Sequence, residues 1–156
     1  MRGFTKILVF LIGIIAIACS SNTLGPTEKD LEQRAQSFFE ATINENWSDL
    51  YDIFPRKFKE SCSHDEFVEA GEETSTGMKE IRESFGIGDP KLEFHIVDIF
   101  IEGTKGLVSV EIKLDGIVAA PASDDPEEMI GWIFIDGGWY LDEADLSDID
   151  NCYDYF

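Results

Sequence analysis

Gly131-Trp132-Ile133-Phe134-Ile135-Asp136-Gly137-Gly138-Trp139-Tyr140-Leu141 is the stretch on which the fold turns. The apolar and aromatic run from Met129 to Ile135 reads as a strand, because β-branched and aromatic side chains pack well on a pleated, half-buried surface. Asp136-Gly137-Gly138 tolerates the positive φ that a tight hairpin turn requires. Trp139-Tyr140-Leu141 then returns as another strand. Towards the N-terminus, residues 119–128 are Ala, Pro, Ser, Asp and Glu, a loop by composition. Before that loop, Val108, Val110, Ile112 and Leu114 alternate with Ser109, Glu111 and Lys113, the period of a strand with one wet face. Asp115-Gly116 ends it. Gly103 to Gly106 is a turn, and Lys91 to Glu102 a further strand.

Helical spacing dominates the preceding part. Thr27 with Asp30 reads as a capping pair, followed by Leu31, Ala35, Phe38, Phe39 and Thr42 on one face. Asn44 to Asn46 interrupts, and Asn46 with Asp49 caps a short piece bearing Trp47, Leu50, Tyr51 and Phe54, stopped at Pro55. Ser63 with Glu66 is a second capping box, opening a helix through Phe67 and Val68. Met78, Ile81 and Phe85 form a third apolar stripe that Gly86 ends. Helices followed by hairpin-linked strands predict an α+β fold, with N-terminal helices packed on a curved, mostly antiparallel, four-stranded sheet. There is no internal repeat.

The chain has 156 residues, the length of one domain, and 44% are apolar, enough for a packed core. Twelve Lys and Arg against thirty-two Asp and Glu leave a net charge of −20. Such a surface repels phosphate backbones and anionic headgroups, which excludes nucleic acid as a partner class and electrostatic membrane adhesion as a mode of attachment.

Residues 1–18 read as a leader. Arg2 and Lys6 precede Ile7–Ala18, an apolar run too short for a bilayer core of ~30 Å, which takes about 20 helical residues. Ala16 and Ala18 satisfy the small-x-small rule of ordinary secretory cleavage. Ala16-Ile17-Ala18-Cys19 also resembles the lipobox of bacterial lipoproteins, in which the cysteine is acylated and becomes the new N-terminus; the usual Leu is replaced by Ala16. That resemblance implies a signal peptide at 1–18, lipidation at Cys19, a polar tether at 19–26, and a domain held in the cell envelope outside the cytoplasmic membrane. The domain is expected over 27–143, with an acidic tail over 144–156.

Cys62 and Cys152 then remain. In an oxidising compartment they are expected to pair, closing a loop worth about 4–5 kcal/mol by chain entropy; two buried or free thiols are the alternative.

The order of parts resembles the nuclear transport factor 2-like, cystatin-like cone fold, which includes ketosteroid isomerase-like and SnoaL-like proteins. The residues carrying the likeness are the paired aromatics of the first helix, Asn46-Trp47-Ser48-Asp49-Leu50-Tyr51, and the closing hairpin at 131–141. The resemblance implies a bent sheet wrapped around a helix, and a cavity that serves catalysis in some members and binding in others. Asp98 is the candidate general base, since it shares strand parity with Leu92, Phe94, Ile96 and Phe100; the opposite reading buries Val97, Ile99 and Ile101 instead. His95 falls on the other face, and pairing it with Asp98 requires a bulge. His64 falls in a first helical turn, where exposure is expected. Two unrelated histidines make no zinc site. Residues 114–156 hold twelve acids and no Lys or Arg, yet lack the spacing of a calcium loop. The expected function is a non-catalytic, membrane-tethered binding or interaction domain without cofactor or metal. The alternative is an isomerase- or dehydratase-like enzyme. A hollow apolar pocket of about 300 Å³ or more would favour the enzyme, and a cone filled by Phe and Trp the binding domain.

Overall fold

Three of the four described α-helices begin where a side chain satisfies a first exposed N–H group. In the computed structural model, which describes residues 25–142, 146 and 151–156, α1 spans Glu28–Ile43 and starts at Thr27, whose Oγ1 accepts the Asp30 N–H at 3.1 Å. The leader, Cys19 and the first part of the tether lie outside the described residues. Asn46 caps α2 (Trp47–Tyr51) through Asp49 N–H. α3 (Arg56–Ser61), which the sequence reading did not foresee, starts after Pro55, a residue with no N–H to leave unsatisfied. α4 (His64–Ser84) carries a reciprocal capping box between Ser63 and Glu66. It runs unbroken through Gly71 and Gly77, joining two segments that the sequence reading treats separately. Gly71 is the crossing point: a Cβ there would enter the indole of Trp47.

The strands are β1 (Leu92–Glu102), β2 (Lys105–Leu114), β3 (Ile117–Ala120), β4 (Ile130–Ile135) and β5 (Gly138–Leu141). All pairings are antiparallel, in the order β1-β2-β4-β5, with β3 beside the far end of β2. The described sheet therefore has five strands rather than four, and it is open. Asp115 and Gly116 both take positive φ, which makes them the two-residue turn of a hairpin rather than the end of a strand. Asp136 and Gly137 repeat that geometry between β4 and β5.

The core has two parts. On the sheet, Leu31, Ala35 and Phe39 of α1 meet Val108, Trp132 and Trp139; Gly106 is bare because Leu31 and Trp139 occupy the space of its Cβ. Phe39 stacks on Phe94 at 4.6 Å, and Phe38 meets Trp132 edge-on. Arg34 fastens this layer by donating to the carbonyls of Trp139 and Asp52. In the other part, Tyr51, Phe54, Phe58 and Phe67 form a nest of rings, joined by Tyr155 and Phe156. Cys62 and Cys152 are disulfide-bonded beneath it, with Cα atoms 5.1 Å apart. Of the expected tail, the described residues at 152–156 dock on the domain: Cys152 is buried, and Phe156 packs on Trp47 and Phe67. The acid content of this segment hides the rings and thiol that dock it.

α1 also orients the molecule. Its first turns lie beside Gly137-Gly138 and Gly106, whereas Ile43 lies with Leu92 and Leu114. Sixteen residues at 1.5 Å each separate these poles by about 24 Å. Residues 25–27 enter at the first pole.

Candidate functional site

A groove of about 750 Å³ opens at the second pole. Its apolar lining comes from the last turn of α1 (Ile43), the start of α2 (Trp47), and the facing ends of β1 and β2 (Leu92, Leu114). Its polar wall is one face of α4, since Glu72, Ser75, Thr76, Lys79 and Arg82 recur at helical spacing. Both Nε and Nη2 of Arg82 donate to Asp89 Oδ1, at 3.1 and 2.8 Å. That pair fastens the connection from α4 to β1 along the rim. With an apolar floor, two cations and the carboxylates of Glu45, Glu72 and Asp89, the groove suits an amphipathic ligand or chain segment. Its size lies within the range of small-molecule sites, but it is open to solvent rather than enclosed.

Asp98 does not enter it. β1 is bulged at Val97, because Ile96 pairs with Val110 while Asp98 pairs with Ser109. Phe94 and Ile96 before the bulge, and Ile99 and Ile101 after it, all pack against the core. A strand that buries even positions and then odd ones defeats a single parity, so each of the two faces weighed from sequence is buried over half of the strand. Asp98 is exposed on the outer face, where its carboxylate accepts the Ile99 N–H at 2.9 Å. The bulge does bring His95 and Asp98 to one face, but it is the solvent face. His95 lies 3.6 Å from Glu93, whose carboxyl is held below its usual range by a hydrogen bond from Lys91.

His64 is exposed, as expected, but has partners that the sequence reading missed. Its Nε2 lies 2.9 Å from Ser48 Oγ, its Nδ1 lies 3.1 Å from Asp65 Oδ1, and its ring meets Tyr51 edge-on. The order of groups is that of a Ser-His-Asp relay. However, the Asp65 side chain is wholly in solvent, where water competes for the imidazole, and the 750 Å³ groove is not lined by any of the three. The contact ties α2 to the start of α4. Its one legible sign is the capping box, which fixes His64 as the first residue of that helix.

Cys62 and Cys152 are brought together, while Cys19 falls outside the described residues. Among the described residues, no group of three or more His, Cys, Asp or Glu is arranged to hold a metal ion, and no helix is long and apolar enough to cross a membrane. No family model, curated protein or solved structure matches the chain.

Proposed function

We propose that the chain is a lipid-anchored binding or interaction domain of the cell envelope, acylated at Cys19 and built on a nuclear transport factor 2-like cone from residue 27. The carrying observation is the junction Ala16-Ile17-Ala18-Cys19 joined to the polar run Ser20-Ser21-Asn22-Thr23. Two or more acyl chains, at ~0.8 kcal/mol per buried CH₂, anchor a domain stably where a net charge of −20 would repel an anionic surface. The polarity of the fold supports the same reading. Residues 25–27 enter at one pole and the groove opens at the other, so a tether at 19–26 presents the groove away from the bilayer.

A non-catalytic role is supported by what fills the space between α1 and the sheet. Phe38, Phe39, Phe94, Trp132 and Trp139 occupy the volume that a substrate would need in a hollow cone. The exposure of Asp98 supports the binding reading over an isomerase or dehydratase that would use it as its base.

Intact mass of the protein purified from the membrane fraction of a bacterial host tests this. The expected species starts at Cys19 and carries the added mass of its acyl chains, and Cys19→Ala abolishes that mass. A mature protein with an unacylated Cys19, or one retaining residues 1–18, would overturn the anchoring.

A further inference from the structure

Phe67, Gly71, Thr74, Met78, Ile81 and Phe85 follow one another at steps of four, three, four, three and four residues along α4. This is the spacing of a seam that meets another helix. The first part of the seam has its partner: Phe67 is fully buried in the ring nest, and Trp47 of α2 crosses at Gly71. The second part does not. Met78, Ile81 and Phe85 are 50%, 54% and 76% exposed, and Ile87 just beyond them is also exposed.

We propose that this second half of the seam docks a cationic amphipathic helix from a partner protein. Helical spacing calls for a helical occupant, since an apolar stripe at these intervals is filled by the i, i+3, i+4, i+7 anchors of another helix. Charge selects which one. Around the stripe Glu73, Glu80, Glu83 and Asp89 outnumber Lys79 and Arg82, on a chain of net charge −20. A second copy would bring two such surfaces together, and an anionic lipid surface would meet the same repulsion; a segment with Lys or Arg beside its apolar face is attracted. Among the described residues, eight of the twelve exposed large apolar ones (Ile43, Met78, Ile81, Phe85, Ile87, Leu114, Ile117 and Val118) belong to elements at the pole opposite the entry of residues 25–27. That end of the molecule is accessible to a partner wherever the chain is anchored, so the inference does not rest on acylation.

The probe is a synthetic helix of about 18 residues with Leu at the two seam positions of each heptad and Lys on its flanks, beside an analogue with Glu replacing Lys. Binding is read by fluorescence anisotropy on the full chain as its host processes it, with phosphatidylcholine nanodiscs present. The Lys helix is expected to bind and the Glu helix not to. Ile81→Ser with Phe85→Ser is expected to weaken binding by about tenfold or more without changing the melting temperature. Glu127→Lys with Glu128→Lys, a charge change away from α4, should leave it within about twofold. Equal binding of both helices, or of the Lys helix to the Ile81→Ser/Phe85→Ser variant, would overturn the proposal. So would a dimer dissociated by that variant, which assigns the stripe to a second copy, or protection of α4 by the nanodisc itself, which assigns it to lipid.

Discussion

The two halves of α4 share a helix, a spacing and an abundance of acids, yet one is locked and the other bare. From His64 to Gly71 the apolar face is covered by α2, the C-terminal rings and the disulfide. From Thr74 to Ser84 the same face meets solvent, while the adjoining face walls a groove. Helical propensity does not separate them. What separates them is whether another element arrives to bury the stripe, because most helical stability in a folded protein comes from packing rather than propensity. The first half is therefore expected to open only with the whole molecule, and the second by local fraying.

The hardest test of that contrast is the staple. Cys62→Ser with Cys152→Ser should lower unfolding free energy in urea by about 4–5 kcal/mol, the chain-entropy value for a loop of this length. A loss below about 1 kcal/mol would mean that the nest holds itself together. Next comes Phe67→Ala, expected to cost about 3–5 kcal/mol because a fully buried ring leaves a cavity among rings that cannot all collapse. Calorimetry decides it.

A third test uses pH. Packing pushes the Tyr155 hydroxyl up to about 12. The unfolded chain ionises near pH 10, so between pH 10 and 12 it releases a proton that the folded state keeps, and stability falls as pH rises. The loss across that window is at most about 2–3 kcal/mol, reduced by the residual exposure of the ring. Urea midpoints from pH 9 to 12 should decline, and Tyr155→Phe should flatten the decline. The smallest effect belongs to the bare half: Phe85→Ser should change stability by no more than about 0.5 kcal/mol. A larger loss would show that Phe85 is covered in solution.

The same contrast separates what local sequence discloses from what only packing decides. Caps at Thr27, Asn46 and Ser63 were legible because a cap is a local hydrogen bond between neighbours in sequence. The 131–141 hairpin and the Cys62–Cys152 pair were legible for similar reasons, the one from turn chemistry and the other from cysteine count. β3 is hidden because Asp115-Gly116 reads as a stop, although the same Asp-Gly pair reads as a turn at 136–137. The face of Asp98 was not legible, since a single bulged residue at Val97 reverses parity without any change in composition. Periodicity showed that Met78, Ile81 and Phe85 share a face, but it carries no information on whether anything covers that face. Ser48 and His64 belong to different helices, and no local pattern announces such a meeting. The groove was illegible for the same reason, being assembled from α1, α2, α4 and two strand ends.

The staple between Cys62 and Cys152 has a consequence in time. A chain that emerges N-terminus first exposes Cys62 ninety residues before its partner. Throughout that interval the thiol is unprotected, and Tyr51, Phe54, Phe58 and Phe67 lack the two rings that residues 155 and 156 bring to them. Maturation is therefore gated by residues 152–156, which appear long after Cys62. Any delay in its arrival prolongs the period in which the half-built nest is open to oxidation with the wrong thiol, or to capture by a chaperone.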